Sequence, residues 1–63
     1  MTSLAQLVKV LRKGKFTLKQ LCVALGESSK AHVSMLLGQL DKRQALYMFQ
    51  TPIGVIYEYR DPQ

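Results

Sequence analysis

Three segments of the chain carry apolar residues at the spacing of an amphipathic helix. In each segment four apolar positions follow the order i, i+3, i+4, i+7, which places them on one helical face. The three stripes are Leu4, Leu7, Val8 and Leu11; Leu18, Leu21, Cys22 and Leu25; and Val33, Leu36, Leu37 and Leu40. The pattern predicts helices over about residues 3–13, 18–25 and 29–42. Such stripes bury one another only when the helices cross around one shared core.

Residues with strong positional preferences mark the ends of these helices. Thr2 or Ser3 is suited to cap the first helix, and Gly14 to close it in the left-handed conformation. Thr17 and Gln20 have the spacing of a capping box, in which each side chain accepts a hydrogen bond from the other residue's backbone N–H. These signals agree with the limits that the apolar stripes predict.

Beyond residue 45 the pattern changes to that of a β-hairpin. In its turn, Pro52 suits the second position and Gly54 suits a positive φ. A loop of residues 52–54 predicts the cross-strand pairs Thr51 with Val55, Phe49 with Tyr57, and Tyr47 with Tyr59. We expect this aromatic side to lie on the helices. The opposite side, expected to face solvent or a partner, carries Leu46, Met48, Gln50, Ile56, Glu58 and Arg60.

Length and composition limit what such a fold can do. With 63 residues the chain has room for one α+β domain over residues 1–63, with three helices, a short extended link at residues 15–16 and a hairpin at about 45–60. Nine Lys and Arg against four Asp and Glu give a net charge of +5, which favours an anionic partner such as nucleic acid. A ribosomal, membrane-surface or merely solubilising role for the charge is the alternative.

Apolar residues make up 48% of the chain, which is high for so short a sequence. Either the core is dense, or some apolar surface is reserved for another subunit, so a homo-oligomer is expected. The one cysteine, Cys22, forms no internal disulfide, and the sequence has neither a secretory h-region nor a run of membrane-spanning length. We therefore expect a reduced, cytoplasmic protein without a membrane partner.

The sequence offers no set of residues for catalysis or metal binding. His32 and Cys22 are the only residues of their types, too few for a structural zinc site. Glu27, Asp41 and the two acidic residues near the C-terminus lack the spacing of a paired-carboxylate site. We expect no enzyme, no metal and no cofactor.

The order of helix, short strand, helix, turn, helix and hairpin resembles the winged helix-turn-helix superfamily of bacterial and phage DNA-binding regulators. The residues that carry the resemblance are 17–25, the turn 26–29 and the helix 30–40. The resemblance implies a three-helix winged fold. It also implies that the third helix enters the major groove of duplex DNA, while the wing and the first helix contact the backbone or minor groove.

Carried onto this sequence, the resemblance selects the outward positions of the third helix as DNA-binding candidates. They are Ser28, Ala31, His32, Ser34, Met35, Gln39 and Lys42, with Lys30 at the flank. Ser28 and Ser29 suit a phosphate beside the helix start, Gln39 suits an adenine, and Met35 or Ala31 suits a thymine methyl group. A basic cluster of Lys9, Arg12, Lys13, Lys15 and Lys19 is expected to contact phosphates non-specifically.

Two other interpretations remain open. The third helix lacks an outward arginine, and Ala31, Ser34, Met35 and Gly38 would equally form a flat surface for another protein, which makes a winged-helix interaction module the alternative function. The tyrosines and Phe49 could also stack on single-stranded bases. The leading hypothesis is a nucleoid-associated transcriptional regulator that binds duplex DNA as a dimer or higher oligomer.

Overall fold

The structure, a computed structural model, describes residues 2–61 and has an α+β architecture. Its elements are α1 (Leu4–Leu11), β1 (Lys15–Thr17), α2 (Leu18–Leu25), α3 (Lys30–Lys42), β2 (Leu46–Thr51) and β3 (Gly54–Tyr59). The strands form one antiparallel sheet in the order β1-β3-β2, so that the extended link between the first two helices is an edge strand. The three predicted helices and the hairpin are therefore present, with ends within about two residues of the predicted ones.

The core lies where the three helical stripes meet one face of the sheet. All four stripe residues of α3 are buried, as are Leu7 and Leu11 of α1 and Leu21 of α2. The remaining stripe residues, Cys22 among them, are partly buried and pack against this cluster. The sheet contributes Phe16, Leu46, Tyr57 and Tyr59. The predicted crossing of three stripes around one core is confirmed.

Local hydrogen bonds fix the helix starts. The predicted capping box at α2 is confirmed: Gln20 N donates to Thr17 Oγ1 over 3.2 Å, and Thr17 N donates to Gln20 Oε1 over 3.0 Å. Ser3 and Gln6 form a second capping box at α1. Each box satisfies two backbone N–H groups that the helix cannot pair internally.

The end of α1 differs from the prediction. Gly14 has a φ of 158° and not the left-handed helical value that was expected. Lys13 N donates to the carbonyl of Val10, and Gly14 N to that of Leu11, so the last turn tightens into i→i+3 bonds. The chain then extends directly into β1, which leaves no place for a left-handed cap.

The end of α3 is closed by a residue that rarely takes this conformation. Gln44 has a φ of 57°, the one positive φ at a non-glycine position among the described residues. Its N–H donates to the carbonyl of Asp41, and Ala45 N–H donates to the carbonyl of Leu40. This pair of bonds is a Schellman motif, whose left-handed position usually holds glycine.

The hairpin has a two-residue loop, Pro52 and Ile53, instead of the predicted three. Gly54 has the expected positive φ of 122° but lies within β3 and pairs with Thr51. The predicted register is therefore wrong by one residue. The observed pairs are Leu46 with Tyr59, Tyr47 with Glu58, Met48 with Tyr57, Phe49 with Ile56, and Gln50 with Val55.

This shift changes which side chains lie on the helices, because neighbouring residues of a strand point to opposite faces. Tyr57 and Tyr59 lie on the core face as expected, but Tyr47 and Phe49 lie on the outer face. Leu46, expected outside, is buried in the core. Met48 shares the core face but remains exposed toward the tip of the hairpin.

Candidate nucleic-acid interface

The turn before α3 is held by one carboxylate. Glu27 accepts from Thr2 N over 3.1 Å and from Ser29 N over 3.2 Å. The backbone hydrogen bond from Thr2, followed by that from Ser29, lowers the pKa of Glu27 below its ordinary value of 4.5. Ser29 caps α3 by accepting from His32 N over 3.2 Å, and Ser28 lies exposed beside it.

The solvent side of α3 is an open row of small and uncharged residues that ends in a lysine. Ala31, Ser34, Met35, Gly38, Gln39 and Lys42 are all exposed. Met35 is the largest apolar member, with 51% of its surface exposed. The structure therefore brings the predicted candidates Ser34, Met35, Gln39 and Lys42 together on one helix face.

The flank of α3 faces the hairpin tip across a shallow groove. Lys30, the first residue of α3, and Lys19, in the first turn of α2, line this groove together. Its other wall is the hairpin tip, where Ile53 is 80% exposed. A hydrogen bond of 2.6 Å from Thr51 Oγ1 to the carbonyl of Gly54 fixes the conformation of this tip.

His32 lies elsewhere than predicted. The side chain is half-buried, and its Nε2 lies 2.7 Å from the carbonyl oxygen of Thr2. A ring nitrogen that donates to this carbonyl ties the start of the chain to α3. The predicted outward orientation of His32 is wrong, because its ring packs against the backbone of Thr2; a role for His32 in DNA binding stays a prediction.

The predicted basic cluster does not form one surface. Arg12 lies 3.6 Å from Asp61 and stands 4.9 Å from the ring centre of Tyr59. Lys15 is on the outer face of the sheet, where its Nζ lies 5.6 Å from the ring centre of Phe49. Lys19 belongs to the groove, and Lys13 is exposed in the turn after α1. Arg12, Lys15 and Lys19 therefore lie in three different surroundings.

Positive charge is largely unpaired over the surface. Of the nine Lys and Arg, one forms an ion pair within residues 2–61, so eight have no acidic partner in this part of the chain. The carboxylate of Glu27 is engaged with backbone N–H groups. Lys19, Lys30 and the N-terminal ends of two helices each contribute positive potential at the groove.

The sequence pattern did not predict two surfaces. One is the hairpin tip at Ile53: Pro52 predicted a turn there, but nothing in the sequence indicated that this turn faces α3. The other is the pair of exposed rings on the outer sheet face, Tyr47 and Phe49, which the incorrect register placed on the helices; Arg60 lies on the outer side as expected. A two-residue loop at Pro52 and Ile53, if assumed from the sequence, would have given the correct register and so the second surface.

Comparison of the chain with protein-family models, curated sequences and solved structures gives no significant match. Within residues 2–61, no three His, Cys, Asp or Glu side chains come together as a metal site requires. None of the helices in this range has the length and apolar character needed to cross a membrane.

Proposed function

We propose that this protein is a winged-helix transcriptional regulator that binds duplex DNA. In this proposal α3 enters the major groove and the β2–β3 hairpin acts as the wing. The element order and the pairing of β1 with β3 support the winged-helix interpretation, since both are what that fold requires.

The observation that carries the proposal is the groove between α3 and the hairpin tip. Lys19, Lys30 and Ile53 line it together, so the starts of two helices and the tip of the hairpin lie on the same side of the molecule. A phosphate strand that passes along this groove meets two lysines and two helix N-terminal ends, all of which favour negative charge. Such contacts position the protein on DNA and carry no sequence information.

The exposed face of α3 supplies candidates for sequence reading. Gln39 can form two hydrogen bonds with an adenine edge, and Met35 can contact a thymine methyl group. Ala31 and Gly38 keep this face shallow, and a Cβ added at Gly38 would meet no other atom within 4 Å. A shallow helix face allows close approach to the floor of a major groove about 12 Å wide.

We further propose that the protein binds DNA as a dimer or higher oligomer. A single DNA-binding module of this size buries only about 600–1,000 Å² of its surface on DNA. Two copies on adjacent half-sites would double the contacts and position the two α3 helices one helical turn of DNA apart, about 34–36 Å. Sedimentation of the protein with and without a duplex measures the number of copies.

Fluorescence anisotropy with a labelled generic duplex, at about 50 and 200 mM salt, tests the proposal. Each phosphate contact contributes about 0.9 to the slope of log affinity against log salt, so the two groove lysines of one copy weaken binding about 12-fold over this range, and those of two copies about 150-fold. Binding at the lower salt that collapses at the higher one supports the proposal. Absence of binding at both salts contradicts it.

A protein-interaction module is the rival function, favoured by the exposed Met35 among small residues. Met35→Ala and Gln39→Ala distinguish the two functions. Groove reading requires that these variants bind a selected operator more weakly, with generic duplex binding nearly unchanged, because base contacts specify and phosphate contacts position. Unchanged operator affinity together with lost self-association would assign this face to protein binding.

A further inference from the structure

We propose that the outer face of the sheet is a second nucleic-acid site, which binds single-stranded nucleic acid by stacking two bases on Tyr47 and Phe49. We define the outer sheet face by its residues Lys15, Tyr47, Phe49, Ile56, Glu58 and Arg60. This face points away from the helices, and the inference does not depend on duplex binding at the α3 groove.

The two aromatic rings are exposed, and each can stack on a separate base. Tyr47 is 45% exposed and Phe49 is 42% exposed, although phenylalanine is among the residues most often buried. Their centroids are 6.1 Å apart and their planes are inclined by 33°, so the rings do not stack flat on each other. This separation exceeds the roughly 3.4 Å rise per base of a stacked strand, so it fits bases that are splayed apart.

A cation accompanies each ring. Lys15 Nζ lies 5.6 Å from the centre of the Phe49 ring, and Arg60 Cζ lies 5.3 Å from the centre of the Tyr47 ring. Each cation thus lies over the ring face on which a base would stack. Stacking of a base on an aromatic side chain is stronger than an exposed cation–π contact, so a base can replace the cation over the ring and leave it free for the phosphate.

The chemistry of the face selects a single strand over the other possible occupants. Bases in a duplex are covered on both faces by their neighbours and leave no surface for Tyr47 or Phe49. With Lys15, Arg60 and Glu58 the face has a net positive charge, which opposes a second copy of the same face and attracts a phosphate backbone. Glu58 lies between Lys15 and Tyr47 across the strands, which directs phosphates to the rim, beside the two cations.

The test is anisotropy of labelled oligo(dT) and oligo(rU) with the complete chain at about 50 mM salt. We expect Phe49→Ala and Tyr47→Ala each to raise Kd about tenfold, because one stacked base is lost. Met48→Ala is the matched control, since Met48 is exposed on the opposite face of the same strand and should leave Kd unchanged. The two oligonucleotides distinguish DNA from RNA as the natural strand.

Phe49→Trp gives a direct readout of stacking and does not remove the aromatic ring. We expect this variant to keep its affinity and its tryptophan fluorescence to be quenched on saturation with the oligonucleotide. Lys19→Gln with Lys30→Gln alters the α3 groove alone and should leave oligonucleotide binding in place, so failure of one site is distinguishable from failure of the other. Circular dichroism verifies that each variant is folded.

Three results would overturn the inference. The first is the absence of oligonucleotide binding by the unmodified chain. The second is unchanged affinity in folded Phe49→Ala and Tyr47→Ala. The third is loss of self-association in these variants with oligonucleotide affinity intact, which would make the outer sheet face an interface between copies of the chain.

Discussion

Replacement of Gln44 by glycine should stabilise the protein, although it removes a side chain. Gln44 is held at a φ of 57° by the two hydrogen bonds that close α3. The left-handed conformation costs a non-glycine residue about 1–2 kcal/mol, because Cβ approaches the following carbonyl. Glycine avoids that cost, but it makes the unfolded chain more flexible, which lowers the free energy of unfolding by about 0.5–1 kcal/mol. The net gain for Gln44→Gly is therefore about 0.75 kcal/mol from the central values of these two ranges.

A domain of about 60–100 residues shifts its Tm by roughly 4–8 °C for each kcal/mol. We therefore expect Gln44→Gly to raise Tm by about 3–6 °C in thermal denaturation followed by circular dichroism at 222 nm. Gln44→Ala is the control, because alanine also removes the long side chain but keeps Cβ and its cost. If Gln44→Gly melts no higher than Gln44→Ala, the reasoning about the left-handed residue is refuted.

Two further predictions concern the core and the turn before α3. Leu21→Ala should lower the free energy of unfolding by about 2–5 kcal/mol, because Leu21 is completely buried. This loss is comparable with the whole stability expected of so small a domain. Urea denaturation measures the loss, and a cooperative midpoint close to that of the unmodified chain would contradict the prediction. Glu27→Gln should make the free energy of unfolding less dependent on pH in the acid range. Folding lowers the pKa of Glu27, so its ionised form adds stability above the ordinary pKa of 4.5, and this is lost as pH falls through the folded pKa. Tm curves between about pH 7 and pH 3 test this, and parallel curves for the two proteins would refute it.

The helices were predicted well because the residues that begin and end each helix lie within a few positions of one another in the sequence. The stripe of α3 at Val33, Leu36, Leu37 and Leu40 predicted the four residues that are buried. Thr17 and Gln20 predicted a capping box whose hydrogen bonds run only between these two residues. Such features depend on spacing along the chain and not on distant contacts.

The hairpin register could not be predicted with the same certainty, because both faces of these strands carry apolar and aromatic residues. Tyr47 and Phe49 alternate with Leu46 and Met48, so the pattern alone does not say which pair lies on the core face of the sheet. The outcome is set by the two-residue loop and by Leu46, which packs into the core. A slip of one residue then exchanges the two faces throughout the strand.

The candidate site was predicted in part for a related reason. The exposed row on α3 follows from the helix period, and Met35, Gln39 and Lys42 lie where the period predicts. The contact of His32 with Thr2 joins residues that are 30 positions apart, and no local pattern indicates it. The same is true of the groove that brings Lys19 and Lys30 to the hairpin tip.

Duplex binding at the α3 groove is best tested by the salt dependence of binding in two double variants of equal charge. Lys19→Gln with Lys30→Gln removes two charges from the α3 groove, and Lys15→Gln with Arg60→Gln removes two from the outer sheet face. We predict that only the groove variant lowers the slope of log affinity against log salt, by about 1.8 for each bound copy, which loses two phosphate contacts. Equal slopes in both variants and the unmodified chain would contradict the proposal that duplex DNA binds at the α3 groove.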